Sequence, residues 1–119
     1  MKKILIVDDQ QGIRLLLNEV FKKEGYEPYL AANGLEAIRF IENIKIDCML
    51  LDMKIPGMNG IEILQRMEEM GRKMPIVMMT AYGEISLIEQ AKTLGVTHYF
   101  TKPFDIFELR NTVNNLLKD

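Results

Sequence analysis

The sequence has little of what would indicate an extracellular, nucleic-acid-binding or membrane protein. Its single cysteine, Cys48, excludes an internal disulfide and favours a reducing compartment, so we expect a cytoplasmic location. Its 15 basic and 17 acidic residues give a net charge of −2, and no cluster of basic residues favours a nucleic-acid partner. No apolar run approaches the ~18 residues that a membrane span requires. The first apolar run ends at Asp8, too early for a signal peptide.

Short apolar runs alternate with helical patterns five times along the 119 residues, a length that suits one domain with one core. Such runs are typical of buried parallel strands, and we place them at about 3–7, 27–31, 48–51, 76–79 and 98–101. Alternating strands and helices imply right-handed crossovers. We therefore predict a doubly wound α/β fold, with a five-stranded parallel sheet and helices on both faces.

Helical spacing predicts which side chains face the core. Three of the helices are expected at about 12–23, 61–70 and 87–94. In the first helix Leu15 lies opposite the apolar stripe and should face water. The inward positions of the first, second and last helices are Ile13, Leu16, Leu17, Val20 and Phe21; Leu35, Ile38 and Ile41; and Leu109, Val113, Leu116 and Leu117.

Polar residues at helix N-termini predict where the helices begin, since their side chains accept from free backbone N–H groups. Asn33 with Glu36, and Asp105 with Glu108, have the spacing of reciprocal capping boxes. Ser86 is the expected cap of the fourth helix.

Polar side chains follow four of the predicted strands at the point where each strand ends: Asp8 and Asp9, Asp52, Thr80 and Lys102. Because the carboxyl ends of parallel strands meet at one edge of a sheet, we expect these groups to converge. Three carboxylates repel one another, and a hard divalent cation such as Mg²⁺ would compensate their charge. Asp52 could then attack a phosphoryl group as a nucleophile, while the Lys102 ammonium and the Thr80 hydroxyl bind the phosphoryl oxygens.

Each of these residues taken alone has an ordinary structural explanation. The paired aspartates and Asp52 could be turn residues, Thr80 could be a cap, and Lys102 could be a solvated charge. Their joint occurrence, each at the end of a separate predicted strand, favours a site.

The same motifs resemble the signature of response-regulator receiver domains, and the resemblance covers the whole chain. The resembling segments are Asp8-Asp9, residues 51–60 (LDMKIPGMNG), Met79-Thr80-Ala81 and Lys102-Pro103-Phe104. The resemblance implies a flavodoxin-like (βα)5 fold. We expect one receiver domain over residues 1–119 and, since the sequence stops after the fifth predicted helix, no DNA-binding or enzymatic output domain of its own.

The resemblance further implies roles for single residues. Asp52 would be the phospho-acceptor, paired with Lys102, and the Lys102–Pro103 peptide bond would be cis. Mg²⁺, for which Mn²⁺ or Ca²⁺ could substitute, would be bound by Asp9, by Asp52 and by the backbone carbonyl of Lys54.

Asp8 would act on the same cation through water. The family's switch pair would be Thr80 and Tyr99: the Thr80 hydroxyl moves toward the phosphoryl group and Tyr99 turns inward behind it. His98, the only histidine, is interpreted as a partly exposed strand residue rather than as a ligand.

Further segments resemble the single-domain receivers of sporulation phosphorelays, among them 12–14, 16–21 and 80–84. That resemblance implies a transfer intermediate, which accepts phosphoryl from a sensor histidine kinase and passes it to a histidine phosphotransferase. An aspartyl-phosphate phosphatase is a further expected partner, and the chain is expected to be a monomer. The implied docking residues are Gln10, Ile13, Arg14, Leu16, Lys54, Tyr82, Pro103 and Phe104. The alternative is that Ile13, Leu16 and Phe104 belong to the core.

Two other functions stay open at this point. A stand-alone switch of the chemotaxis type would use the same chemistry but act by binding an effector. A Mg²⁺-dependent phosphohydrolase would need a general acid near Asp52, yet Lys54 stands where such enzymes often carry a second carboxylate. We therefore interpret the chain as a phosphotransfer intermediate rather than a free-standing enzyme. A nucleotide site is disfavoured because no glycine-rich loop follows the first strand.

Overall fold

The computed structural model describes residues 1–118 and contains five strands that alternate with five helices. The strands are β1 (Lys3–Val7), β2 (Glu27–Ala31), β3 (Cys48–Asp52), β4 (Ile76–Thr80) and β5 (His98–Thr101). The helices are α1 (Gln11–Lys23), α2 (Gly34–Asn43), α3 (Gly60–Glu69), α4 (Ile85–Thr93) and α5 (Ile106–Leu116). The predicted α/β alternation is confirmed. Within residues 1–118 no helix has the length and hydropathy needed to cross a membrane.

All five strands are parallel and lie in the order β2-β1-β3-β4-β5, which is the flavodoxin-like order. The strand order reverses direction between β1 and β3, the place where doubly wound sheets bind ligands. The pairing registers are Val7↔Leu51, Asp52↔Met79 and Thr80↔Thr101. The residues that end or follow β1, β3, β4 and β5 therefore lie along one edge.

The sheet is covered on both faces, so side chains that alternate along a strand enter two separate cores. Leu5 and Val7 of β1 pack with α2, α3 and α4, whereas Ile4 and Ile6 pack with α1 and α5. Every residue of β3 is buried. Cys48 belongs to the α1/α5 core, and burial with the nearby Asp47 charge raises its thiol pKa to about 12. It acts as a small buried apolar residue, as predicted.

Two leucines that we predicted to face the core are exposed. Leu16 is 51% exposed and Leu35 is 58% exposed. Helix α1 packs on the sheet through Leu17 and Phe21, which are four residues apart and so lie on one face. Leu16 precedes that face by one residue and lies at its flank, where about half of its surface stays exposed. Leu15 is 52% exposed, as expected.

The predicted N-cap residues are correct at two helices, but the predicted reciprocal boxes do not form there among residues 1–118. The Asn33 side chain accepts from the Glu36 N–H at 2.9 Å, and the Asp105 side chain accepts from the N–H groups of Phe107 and Glu108. In a capping box the Glu36 carboxylate would accept from the N–H of the cap residue, Asn33. At α2 it accepts instead from the N–H of the preceding residue, Ala32.

The predicted start of the fourth helix is wrong. Helix α4 begins at Ile85, so Ser86 lies inside the helix and does not cap it. The preceding residue, Glu84, turns its carboxylate back to the Ala81 N–H at 2.7 Å. The residue before α4 therefore binds a backbone N–H of the preceding loop instead of one in the helix. The spacing of polar residues did not indicate this contact.

Candidate functional site

The predicted acidic cluster forms at the carboxyl edge of the sheet. Asp8, Asp9 and Asp52 each offer a carboxylate oxygen, and these oxygens lie within 4.8 Å of one another. Asp8 is fully buried and Asp52 is 6% exposed, whereas Asp9 faces solvent. The cluster is assembled by the fold, since β1 and β3 are neighbours and both end here. The Gln10 N–H donates to Asp8 Oδ1 at 2.9 Å and holds the turn after β1.

Lys102 joins the two buried carboxylates. Its Nζ atom lies 2.9 Å from Asp8 Oδ2 and 3.2 Å from Asp52 Oδ2. The backbone directs the side chain to this place, because the Lys102 N–H donates to the Thr80 carbonyl at 2.7 Å just beyond β5. The following Lys102–Pro103 peptide bond is cis, as the family resemblance implied.

The electrostatics of the site leave it short of positive charge. Burial and the neighbouring Asp8 charge raise the pKa of Asp52, although Lys102 and the Lys54 N–H act in the opposite direction. Burial lowers the pKa of Lys102, but its hydrogen bonds and charge interactions with Asp8 and Asp52 outweigh that effect and the net shift is upward. One ammonium faces three carboxylates, so the cluster has the charge and the oxygen donors to hold a divalent cation.

Both oxygens of Asp52 have hydrogen-bond donors. Oδ2 accepts from Lys102, and Oδ1 accepts from the Lys54 N–H at 3.2 Å. The Lys54 side chain points outward and is 74% exposed, and its Nζ atom lies 3.5 Å from Glu84 Oε2. The loop after β3 thus supplies a backbone donor at Asp52.

Thr80 and Tyr99, the predicted switch pair, lie on the neighbouring strands β4 and β5. Thr80 is 1% exposed, and its hydroxyl has no hydrogen-bond partner within residues 1–118. A buried polar group without a partner costs about 1–3 kcal/mol, which is unusual in a folded protein. Tyr99 is 47% exposed, with its ring on the surface. The pair therefore consists of a buried hydroxyl without a hydrogen-bond partner among these residues and an aromatic side chain that is about half exposed.

The predicted docking residues divide into two groups. The exposed group is Gln10, Leu16, Lys54, Tyr82 and Pro103, and Tyr82 is 91% exposed. Ile13 and Phe104 are partly buried and pack against the α1/α5 core, so neither the core nor the surface interpretation holds alone. For Leu16 the core alternative is wrong. Arg14 is partly committed to the fold, because its Nη1 atom donates to the Asp8 carbonyl at 2.8 Å.

Sequence reasoning gave no role to Glu84, which the structure places beside the site. Its contacts with Ala81 and Lys54 join the loop after β4 to the loop after β3. The sequence feature that could have indicated this role is a carboxylate four residues after Thr80. A carboxylate at a helix start is ordinarily interpreted as a solvated charge, so the pattern alone does not assign it to the site.

The chain is similar to characterised proteins over almost all of its length. The family described as response regulator receiver domain matches residues 4–114. Sporulation initiation phosphotransferase F of Bacillus subtilis is 55% identical over 98% of this chain and 94% of that protein. Regulatory protein AtoC of Escherichia coli is 36% identical over 99% of this chain, but the chain spans only 26% of that longer protein.

Solved structures agree with the fold described above. Chemotaxis protein CheY4 of Vibrio cholerae has a TM-score of 0.87 and 31% identity, covering 98% of this chain and 99% of that chain. The receiver domain of Francisella response regulator 1452 has a TM-score of 0.88 and 30% identity, covering 98% of this chain and 96% of that chain. Since the family match extends from β1 into α5 and includes every strand end of the acidic cluster, the chain belongs to the response regulator receiver domain family.

Proposed function

We propose that this chain is the intermediate of a phosphorelay that controls sporulation initiation. It takes a phosphoryl group from a sensor histidine kinase onto Asp52 and gives it to a histidine phosphotransferase. The observation that carries the proposal is the position of Asp52 between Lys102 and the Lys54 N–H, in a chain 55% identical to sporulation initiation phosphotransferase F. An aspartyl-phosphate phosphatase is a further proposed partner. A reducing, cytoplasmic setting suits the buried Cys48 thiol.

The transfer follows from the groups around Asp52. An oxygen of the Asp52 carboxylate attacks the phosphorus of a phosphohistidine, a P–O bond forms and the P–N bond breaks. The nitrogen keeps the electron pair, and the imidazole leaves as a neutral ring because its other nitrogen carries a proton. In the second transfer a histidine nitrogen attacks, the P–O bond breaks and the Asp52 carboxylate is restored. The Lys102 ammonium stabilises the charge on the phosphoryl oxygens in both steps.

The chain's own oxygens fit a bound Mg²⁺ ion, with Mn²⁺ or Ca²⁺ as substitutes. Asp9, Asp52 and the Lys54 carbonyl are the proposed direct ligands, and Asp8 is proposed to act through water. When bound, the cation would neutralise charge on the carboxylates and on the phosphoryl oxygens. Asp9 is exposed, so its carboxylate can reach the ion from the solvent side, whereas Asp8 is fully buried.

Mg²⁺ should raise the melting temperature, because it binds the folded acidic cluster and relieves carboxylate repulsion. At 100 times the dissociation constant the free energy of unfolding should rise by about 2.7 kcal/mol. Asp9→Asn should remove most of this effect, and Glu68→Gln, an exposed carboxylate on α3, should retain it. Thermal unfolding with Mg²⁺ or with a chelator measures the difference. An equal shift in Asp9→Asn and in the parent protein would contradict the assignment of Asp9.

The proposed switch uses the unpartnered Thr80 hydroxyl. A phosphoryl oxygen on Asp52 would supply the partner that this hydroxyl lacks, and its movement would open space for the Tyr99 ring to turn inward. A local change of charge thereby alters the surface at α4 and β5.

Phe104→Ala should reduce transfer to and from protein partners by about 10-fold or more, while labelling by a small phosphodonor changes little. Phe104 follows the cis Lys102–Pro103 bond and is partly exposed, so it suits an apolar anchor near the phosphorylated residue. The matched control is Phe107→Ala, which removes an exposed phenyl ring from the first turn of α5. Rates of both reactions, measured with labelled phosphoryl groups, make the comparison. Equal loss in the two reactions would mean that Phe104 is structural.

A phosphoryl chase tests the function itself. The protein is loaded with labelled acetyl phosphate and Mg²⁺, separated from the donor, and mixed without ATP with extract from its own organism. We expect label to move to a histidine of a second protein. Label that decays only to free phosphate would favour a stand-alone switch, an alternative that the similarity to chemotaxis protein CheY4 supports. Failure to load would contradict the receiver chemistry.

A further inference from the structure

Glu84 bridges two loops at the edge of the sheet that carries Asp52. Its Oε1 atom accepts from the Ala81 N–H at 2.7 Å, and its Oε2 atom lies 3.5 Å from Lys54 Nζ. The Glu84 side chain is 10% exposed, whereas the Lys54 side chain that it contacts is 74% exposed. One carboxylate thus holds a backbone donor from the β4–α4 loop and a cation from the β3–α3 loop.

Both groups held by Glu84 belong to segments that surround Asp52. Ala81 directly follows the buried Thr80, and the register Asp52↔Met79 sets the end of β4 beside the end of β3. Lys54 lies two residues after Asp52, and its N–H already donates to Asp52 Oδ1. A backbone donor and an ammonium in these segments are the kind of groups that bind phosphoryl oxygens.

A phosphoryl group on Asp52 would bring new anionic oxygens to the same edge. Those oxygens and the Glu84 carboxylate would then compete for the Ala81 N–H and for Lys54. Like charges that share a small set of donors repel one another, so phosphorylation and the Glu84 contacts oppose each other.

Helix α4 begins directly after Glu84 and is weakly anchored there. The Glu84 side chain does not cap the helix, and the backbone bonds across the helix start are long: Glu84 N–H to the Ala81 carbonyl at 3.4 Å, and Ile88 N–H to the Glu84 carbonyl at 3.3 Å. Release of the Glu84 side chain would therefore loosen the first turn of α4 as well as the loop.

We propose that Glu84 is a positioning residue that acts as an internal anion and stabilises the unphosphorylated conformation. It holds the Ala81 N–H and Lys54 until a phosphoryl group on Asp52 displaces it. This inference rests on the proposed role of Asp52 as phospho-acceptor. It adds a residue on the β4–α4 loop that opposes phosphorylation and connects the state of the site to the start of α4.

The test is the affinity for beryllofluoride, a mimic of the phosphoryl group, measured by calorimetry with Mg²⁺ present. Glu84→Gln keeps an acceptor for Ala81 and removes the charge, whereas Glu84→Ala removes both. We expect beryllofluoride to bind about 5-fold more tightly or better to Glu84→Gln, and more tightly still to Glu84→Ala. The matched control, Glu89→Gln, removes an exposed carboxylate from the same helix and should bind as the parent protein does. Equal or weaker binding by both Glu84 variants would overturn the inference.

A measurement on the unaltered protein removes the dependence on variant folding. The carboxyl ¹³C signal of Glu84 should move when beryllofluoride saturates the site, while that of Glu89 should not. A Glu84 signal that stays unchanged at saturation would also overturn the inference. If the parent protein neither binds beryllofluoride nor accepts phosphoryl from acetyl phosphate, then the proposed role of Asp52 fails. That result differs from one in which the parent protein and the Glu84 variants bind beryllofluoride with equal affinity, which overturns only the role of Glu84.

Discussion

Asp52→Asn should abolish phosphoryl loading and at the same time raise the melting temperature in the absence of divalent cations. Loading is lost because the amide has no anionic oxygen to attack phosphorus. Stability rises because the buried Asp52 carboxylate is disfavoured by desolvation and by the Asp8 charge, which together raise its pKa above the ordinary value of 3.8. Labelling by acetyl phosphate and thermal unfolding measure the two effects.

The pH dependence gives the sign of the stability effect. A carboxyl with a raised pKa in the folded state contributes stability that is fully present below pH 3.8, the unfolded value, and is lost as the pH rises through the folded value. At neutral pH the ionised Asp52 therefore opposes folding, and the amide removes that cost. The stability gain of Asp52→Asn should accordingly shrink as the pH falls toward 3.8.

The comparison variant is Asp9→Asn, which alters the same cluster but keeps the nucleophile. It should still acquire label, more slowly, because only a proposed cation ligand is lost. A stable adduct on another residue of Asp52→Asn, or identical loading by the two variants, would contradict Asp52 as the acceptor.

Lys102→Ala should slow phosphoryl transfer by roughly 10²–10³-fold, the usual effect of removing one donor that stabilises transition-state charge. It should leave the fold intact but reduce the free energy of unfolding by about 1–2 kcal/mol. The loss is less than for a fully buried ion pair, because the Lys102 side chain is 22% exposed. Asp8, fully buried, would keep the Gln10 N–H as a donor. Single-turnover transfer rates and denaturant unfolding measure the two effects.

Two further variants separate charge from packing at Lys102. Lys102→Arg keeps a cation with a different shape and should restore part of the stability but little of the rate, since the guanidinium cannot place one nitrogen between Asp8 and Asp52 in the same way. Lys92→Ala, an exposed lysine on α4, is the control and should change neither quantity.

Because the net pKa shift of Lys102 is upward from 10.5, the stability that Lys102 contributes should persist through neutral pH and be lost only above that value. Normal transfer by Lys102→Ala would exclude its proposed role.

The helices show which burial predictions cannot be made from sequence patterns alone. The period of 3.6 residues correctly placed Leu17 and Phe21 in the core, but it also predicted inward positions for Leu16 and Leu35, which lie at the flanks of their helices. A flank residue is covered only if a neighbouring element extends over it. Whether one does depends on how the helices pack across the sheet, which no local pattern contains.

The amino-acid sequence by itself determined the alternation of strands and helices, and with it the convergence of Asp8, Asp9, Asp52, Thr80 and Lys102. Both follow from periodicity and chain direction, because parallel strands necessarily bring their carboxyl ends to one edge. Only the tertiary structure decided that Lys102 joins Asp8 to Asp52, that the Thr80 hydroxyl lacks a partner among residues 1–118, and that Glu84 holds Ala81 and Lys54. The contacts of Lys102 and of Lys54 join residues far apart in the sequence over about 3 Å, and such distances depend on the packed positions of the elements rather than on the spacing of residues along the chain.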